Sequence, residues 1–108
     1  MSAESLLLKA RTALLMDQPF FGTLAIRLKP VADDDIKTAA TDGQRLIYAP
    51  SYISKLSSPQ LKGLIAHEVM HCVFNHMTRR QDRDAKIWNS ACDYAINSHL
   101  IDCGFILP

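Results

Sequence analysis

Excess charge of either sign is missing from this chain: twelve lysines and arginines stand against eleven aspartates and glutamates in 108 residues. That balance excludes the broad basic field with which proteins hold nucleic acid, and an acidic solvating tail as well. Long apolar runs are missing too. The amino terminus, MSAESLLLKA, has no cationic start and its apolar run is only Leu6 to Leu8, so neither a signal peptide nor a membrane span is expected there. Cysteine is sparse and odd in number. Cys72, Cys92 and Cys103 form no close CxxC pair, which fits a reducing compartment, the cytoplasm, better than a disulfide framework. Glutamate is sparser still, limited to Glu4 and Glu68.

The length suits one domain with a modest core. Residues 3–17 carry Leu6, Leu7, Ala10, Ala13 and Leu14 at helical spacing, and Pro19 stops that helix. TLAIRLKP, residues 23–30, alternates Leu24, Ile26 and Leu28 against Ala25, Arg27 and Lys29, the pattern of a half-buried strand. The acidic run at 32–35 reads as a solvated turn, since it lacks the alternate spacing of a calcium loop. Asp42-Gly43 marks a hairpin between short strands near 36–41 and 44–49, and a single helical turn follows at 51–56. A long helix starts at Ser58, as cap, and Pro59. QDRD at 81–84 breaks it, and a second helix runs from about Asp84 to Asp102, with Gly104 placed to end it. The order predicts an α+β architecture: an N-terminal helix, a short three-stranded antiparallel sheet, and two antiparallel helices packed against each other.

AHEVMHCVFNH, residues 66–76, holds three of the four histidines. Four residues of helix advance the phase by only about 40°, so His67 and His71 face the same way, one turn apart. Glu68 lies about 100° round from His67, where it can reach a metal-held water without becoming a ligand. Two imidazoles that hold Zn²⁺ and a carboxylate that takes a proton from its water are the chemical logic of HExxH. Glu68 is also the only charge between Leu64 and Val73. Glu68-x-x-His71 is an ExxH pair as well, but a di-iron site needs more glutamates than Glu4 can supply.

A catalytic zinc takes three protein ligands and keeps one position open. His76 lies about 140° from His71 on a continuous helix, and no glycine between them turns the chain. Asp93 is better placed. If the two helices run antiparallel, the second returns to the level of His71 at Asp93, a carboxylate set among Trp88, Ala91, Cys92, Ala95 and Ile96. The competing reading of Asp93 is an ion pair with Arg79, Arg80 or Arg83. Asn97 and Asn89, one turn to either side, could orient a ligand. Cys72, Cys92 and Cys103 read as small core or helix-end residues, and His99 as a core histidine on the Trp88 stripe. Tyr52, Tyr94 and His99 are candidate donors to a transition-state oxyanion.

PFFGTLAIRLKP, TAATDGQRLIYAP, LIAHEVMHCVFNHMTRR and WNSACDYAIN, in this order, resemble the putative metallopeptidase domain of bacterial and phage proteins, over roughly residues 10–108. The resemblance implies a small zincin-like domain and peptidase chemistry. It matches His67, Glu68 and His71 to the family's HExxH, and Asp93 with Asn97 to its D-x-x-x-N helix. That helix is similar to the third-ligand helix of gluzincins, with aspartate in place of glutamate as in aspzincins. In the family this domain often precedes a von Willebrand A-like domain, so residues 1–108 are expected to be one domain at the N-terminal part of a longer protein. The expected activity is zinc-dependent hydrolysis of a peptide or protein, with Glu68 as general base and neither nucleic acid nor membrane as partner. Two alternatives stand beside it: a metal-stabilised interaction module without turnover, and a DNA-associated protease of the SprT type.

Overall fold

The structure is a computed structural model that describes residues 2–73 and 85–108, the side chains of 85–92 excepted. Helix α1 (Ala3–Asp17) opens on Ser2, whose side chain accepts the Ser5 amide at 3.2 Å, and it buries Leu7, Ala10 and Leu14. Helix α2 (Pro19–Ala25) follows at once. Strands β1 (Lys29–Ala32), β2 (Ala39–Thr41) and β3 (Arg45–Tyr48) form one sheet, and the short helix α3 (Pro50–Ile53) leads from it. Helices α4 (Ser58–Val73) and α5 (Ala85–Asp102) complete the order. The architecture is α+β, as the sequence implies.

Residues 23–30 depart from expectation. They are not a strand: α2 occupies the first part, and β1 begins only where the expected strand was ending. Leu24 and Leu28 sit at both the alternate spacing of a strand and the i,i+4 spacing of a helix. The buried set is Phe21, Ala25 and Leu28, whereas Ile26, which alternation turns inward, is 51% exposed. Pro19 opens α2 at its first turn, where its missing amide is no loss.

The sheet is mixed rather than antiparallel. Its order is β1-β3-β2, with β3 parallel to β1 and antiparallel to β2. A hairpin does form around Asp42-Gly43, but it pairs Thr41 with Leu46, so its connection is four residues, 42–45, rather than two, and β3 lies between its two partners. Strand β3, the last in sequence, is therefore the centre of the sheet, and β2 is an edge.

Helix α4 is the pillar. Its cap is Ser57 rather than Ser58: the Ser57 hydroxyl accepts the Gln60 amide at 3.3 Å, and Gln60 Oε1 accepts the Ser57 amide at 3.0 Å. This reciprocal pair is a capping box. The helix is buried on most of its circumference, through Leu61, Leu64, Ile65, Ala66, Val69 and Met70. Helices α1 and α2, β2 and α5 all pack on it. Full burial of side chains such as Ile65 and Val69 contributes roughly 1.5–3 kcal/mol each.

Helix α5 buries Ile96 and Leu100 and ends in a Schellman turn. Phe105 N–H donates to Leu100 O at 3.0 Å, Gly104 N–H donates to Ile101 O at 3.0 Å, and Gly104 takes a φ of 92°. The chain then turns back along α4. Phe105 meets Phe21 edge to face with ring centroids 5.0 Å apart, and Ile106 passes so near Gly63 that a Cβ there would overlap the Ile106 carbonyl. Gly63→Ala separates two effects. Helix propensity alone favours alanine by about 1 kcal/mol, whereas overlap with backbone is destabilising by about 1–3 kcal/mol. We expect net destabilisation in chemical denaturation; a stabilised variant would contradict this close approach.

Candidate metal centre

Helix α4 presents His67 and His71 one turn apart on a single face, with ring centroids separated by 4.8 Å. Helix α5 runs antiparallel beside it: His67 meets Asn97, and His71, one turn on, meets Asp93, one turn back. Three atoms converge. His67 Nε2 lies 3.1 Å from His71 Nε2, and Asp93 Oδ1 lies 3.1 Å from the first and 3.0 Å from the second. The histidine side chains are 17% and 19% exposed and that of Asp93 is 50% exposed, so the cluster opens to solvent on the aspartate side.

Proton positions are constrained. The carbonyl oxygen of Asn97 accepts from His67 Nδ1 at 2.8 Å, which puts the proton of a neutral His67 on Nδ1 and leaves Nε2 as a bare lone pair. Asp93 Oδ1 is an acceptor. A neutral His71 brings at most one proton on its Nε2 to three mutual contacts. The other contacts then face acceptor against acceptor, a state that a cation at the centre relieves. Ligand atoms on a four-coordinate ion with bonds of roughly 2.0–2.1 Å stand about 3.3 Å apart, close to the spacing present. Two imidazoles and a carboxylate thus fit a divalent ion, and these are the three residues among those described that could hold one.

Glu68 is not part of the converging set. It is 6% exposed, and among the described residues no hydrogen bond reaches its carboxylate. Burial, and then the negative charge of Asp93, push its pKa up to about 8. A divalent cation near Asp93 acts in the opposite sense, because it favours the carboxylate. Glu68 and the three converging residues line one cleft of about 520 Å³, with Thr38–Thr41 along one wall and Tyr52, Leu64, Asn97, Leu107 and Pro108 on the others. Cys72, half-buried rather than apolar core, holds the edge strand to the site helix. The Thr41 hydroxyl donates to Arg45 O at 2.9 Å, so the contact of 3.3 Å to Thr41 Oγ1 uses the Cys72 thiol as donor.

Other candidates are sorted by the fold. His99 is exposed on α5, not in the core, and contacts Cys103 Sγ at 3.7 Å. Cys103 is an exposed helix-end residue. Tyr94 is 78% exposed and lines no part of the cleft. His76, the arginines at 79, 80 and 83, and the side chains of Asn89, Trp88 and Cys92 lie outside the described residues. The cleft walls from β2 and from Leu107-Pro108 carry no local sequence signature, and only the tertiary path of the chain reveals them.

Fold and site define a class: a small α+β domain whose HExxH helix joins an antiparallel helix to gather ligands that could hold one metal ion. Over residues 2–108 the chain matches the family described as "Putative metallopeptidase domain", and it belongs to that family. It is 31% identical over 107 residues to a protein of Thermotoga maritima described as "Uncharacterized protein". The match covers 93% of this chain and 27% of the relative, so this chain spans about a quarter of the relative's length. No solved structure gives a significant match. Among the described residues no helix is long and apolar enough to cross a membrane.

The raised pKa of Glu68 sets a pH dependence for the metal-free protein. Folding favours its protonated form, so the stabilisation from this group is complete below about 4.5, the ordinary value, and is lost as the pH rises through about 8. Glu68→Gln removes that titration. With chelator present, the stability of the wild type relative to Glu68→Gln should fall across this window by on the order of a few kcal/mol. A pH-independent difference in denaturation free energy would show that the carboxylate is not buried as described.

Proposed function

We propose that this chain is a zinc-dependent peptidase domain in which His67, His71 and Asp93 hold the ion and Glu68 is the general base. The observation that carries the reading is the convergence of three ligand atoms beside a buried carboxylate in one open cleft. Two imidazoles, one carboxylate and no sulfur are a donor set of catalytic zinc sites, which keep a fourth position open. The ion, when bound, supplies a Lewis acid that lowers the pKa of a coordinated water and polarises the scissile carbonyl.

The residues of the chain do the remaining work. Asn97 fixes the tautomer of His67 and keeps its Nε2 directed at the cluster. Glu68 takes a proton from the attacking water and returns it to the departing amine. Its burial keeps it away from competing solvent, and a divalent charge nearby brings its ionised form into the neutral range. Strand β2 ends the sheet and lines the cleft, so its free edge can pair with an extended peptide. A buried acid beside the ligands favours this reading over a metal-stabilised interaction module, because a purely structural site has no use for it.

Glu68→Gln in the full-length protein tests the mechanism. It keeps shape and removes the base. We expect it to retain zinc and to fold, and to lose peptide hydrolysis by a factor on the order of 10²–10⁴ against a mixed peptide library. Activity equal to wild type would remove Glu68 from the mechanism. A wild type that hydrolyses nothing would favour the interaction module.

A further inference from the structure

The structure assigns Tyr52 as the hydrogen-bond donor to the oxyanion formed during peptide hydrolysis, an inference that rests on the peptidase reading. Water addition sends the oxygen's electron pair to the carbonyl carbon, its proton to Glu68, and the carbonyl π pair to the carbonyl oxygen. That oxygen becomes an anion and needs a donor that was in place beforehand. Collapse returns the pair, breaks the C–N bond, and passes the proton from Glu68 to the amine. Tyr52 gives no proton away in this sequence; it donates a hydrogen bond to the anion and releases it.

The polar groups of the cleft leave few candidates. Glu68 and Asp93 are acceptors when ionised. The Thr41 hydroxyl has its proton committed to Arg45 O. Asn97 lines the cleft, but its side chain is engaged with the Nδ1 of His67, on the side of the ring away from the converging Nε2. Tyr94 and His99 are not part of the cleft lining. Tyr52 is. Its ring packs against the core while its hydroxyl has no hydrogen bond to another described residue and is not among the buried unpartnered atoms, so it meets the solvent that a substrate displaces.

The frame around Tyr52 is firm. Pro50 sets the start of α3, the Tyr52 amide donates to Ala49 O at 3.0 Å, and the next residue, Ile53, is fully buried. A donor on such a support keeps its place without a loop having to close. Thr38 also reaches the cleft, but it precedes β2 and offers an aliphatic hydroxyl. The phenol is the more acidic group and so the stronger donor to an anion.

Tyr52→Phe keeps the ring and its packing and removes only the hydroxyl. Two measurements are made on zinc-loaded, full-length protein: kcat and KM on a peptide substrate, and binding of a phosphinic peptide, whose tetrahedral anionic oxygen stands in for the oxyanion. We expect unchanged zinc content, little change in KM, and a fall in kcat on the order of 10²-fold. Affinity for the phosphinic peptide should fall by tenfold or more, while Tyr94→Phe behaves as wild type in both assays. Unchanged kcat and unchanged phosphinic-peptide affinity in Tyr52→Phe would overturn the role of Tyr52 and leave the peptidase reading intact. A wild type that neither hydrolyses peptide nor binds the phosphinic peptide would overturn that reading, and this inference with it.

Discussion

Three metal-ligand atoms held about 3 Å apart by two helices are the constraint on which the rest of this structure turns. Water would pull such a cluster apart if its side chains were free to move. They are not free, because each sits on a helix that is fixed for other reasons. Residues 64–66 and 68–70 of α4 are buried, so the helix cannot roll to separate His67 from His71. Ile96 and Leu100, both fully buried, fix the rotation of α5 and with it the direction of Asp93 and Asn97. The apolar core thus holds a polar arrangement that would not form by itself, and an ion bound there would add its binding free energy to folding.

The same logic applies to Glu68. A carboxylate in this position is unfavourable in the absence of a cation, both from lost hydration and from Asp93. A cation among His67, His71 and Asp93 would offset the charge that Asp93 imposes on Glu68. Occupancy of the cluster by a cation and ionisation of Glu68 would therefore be coupled. The edge strand belongs to the same unit. Thr41 ties it to Cys72, the residue after His71, so this wall of the cleft is positioned by the helix that carries His67 and His71.

How much of this is legible in the sequence depends on how local the signal is. The site helix is legible because Glu68, flanked by two histidines, is the only charge between Leu64 and Val73. The nearness of Asp93 to His71 follows from counting residues up one helix and down the next. The end of α5 is legible at Gly104, and the hairpin at Asp42-Gly43. TLAIRLKP is misleading because Leu24 and Leu28 satisfy two periods; Ile26 decides between them only once its exposure is known. Ser57 and Ser58 compete for one cap, and Gln60, three residues after Ser57, favours the former. The mixed sheet is not legible at all, since parallel pairing of β1 with β3 depends on where β2 is placed between them in sequence but not in space. The return of Leu107-Pro108 to the cleft is similarly non-local, with Gly63 as its only trace in α4.

The central claim is the identity of the three ligands, and X-ray absorption at the zinc edge of the zinc-loaded full-length protein tests it most directly. The account predicts one zinc with two imidazoles and oxygen donors at roughly 2.0–2.2 Å, and a spectrum that is unchanged in His76→Ala and altered in Asp93→Ala. A sulfur shell at roughly 2.3 Å, or a third imidazole that disappears in His76→Ala, would contradict it.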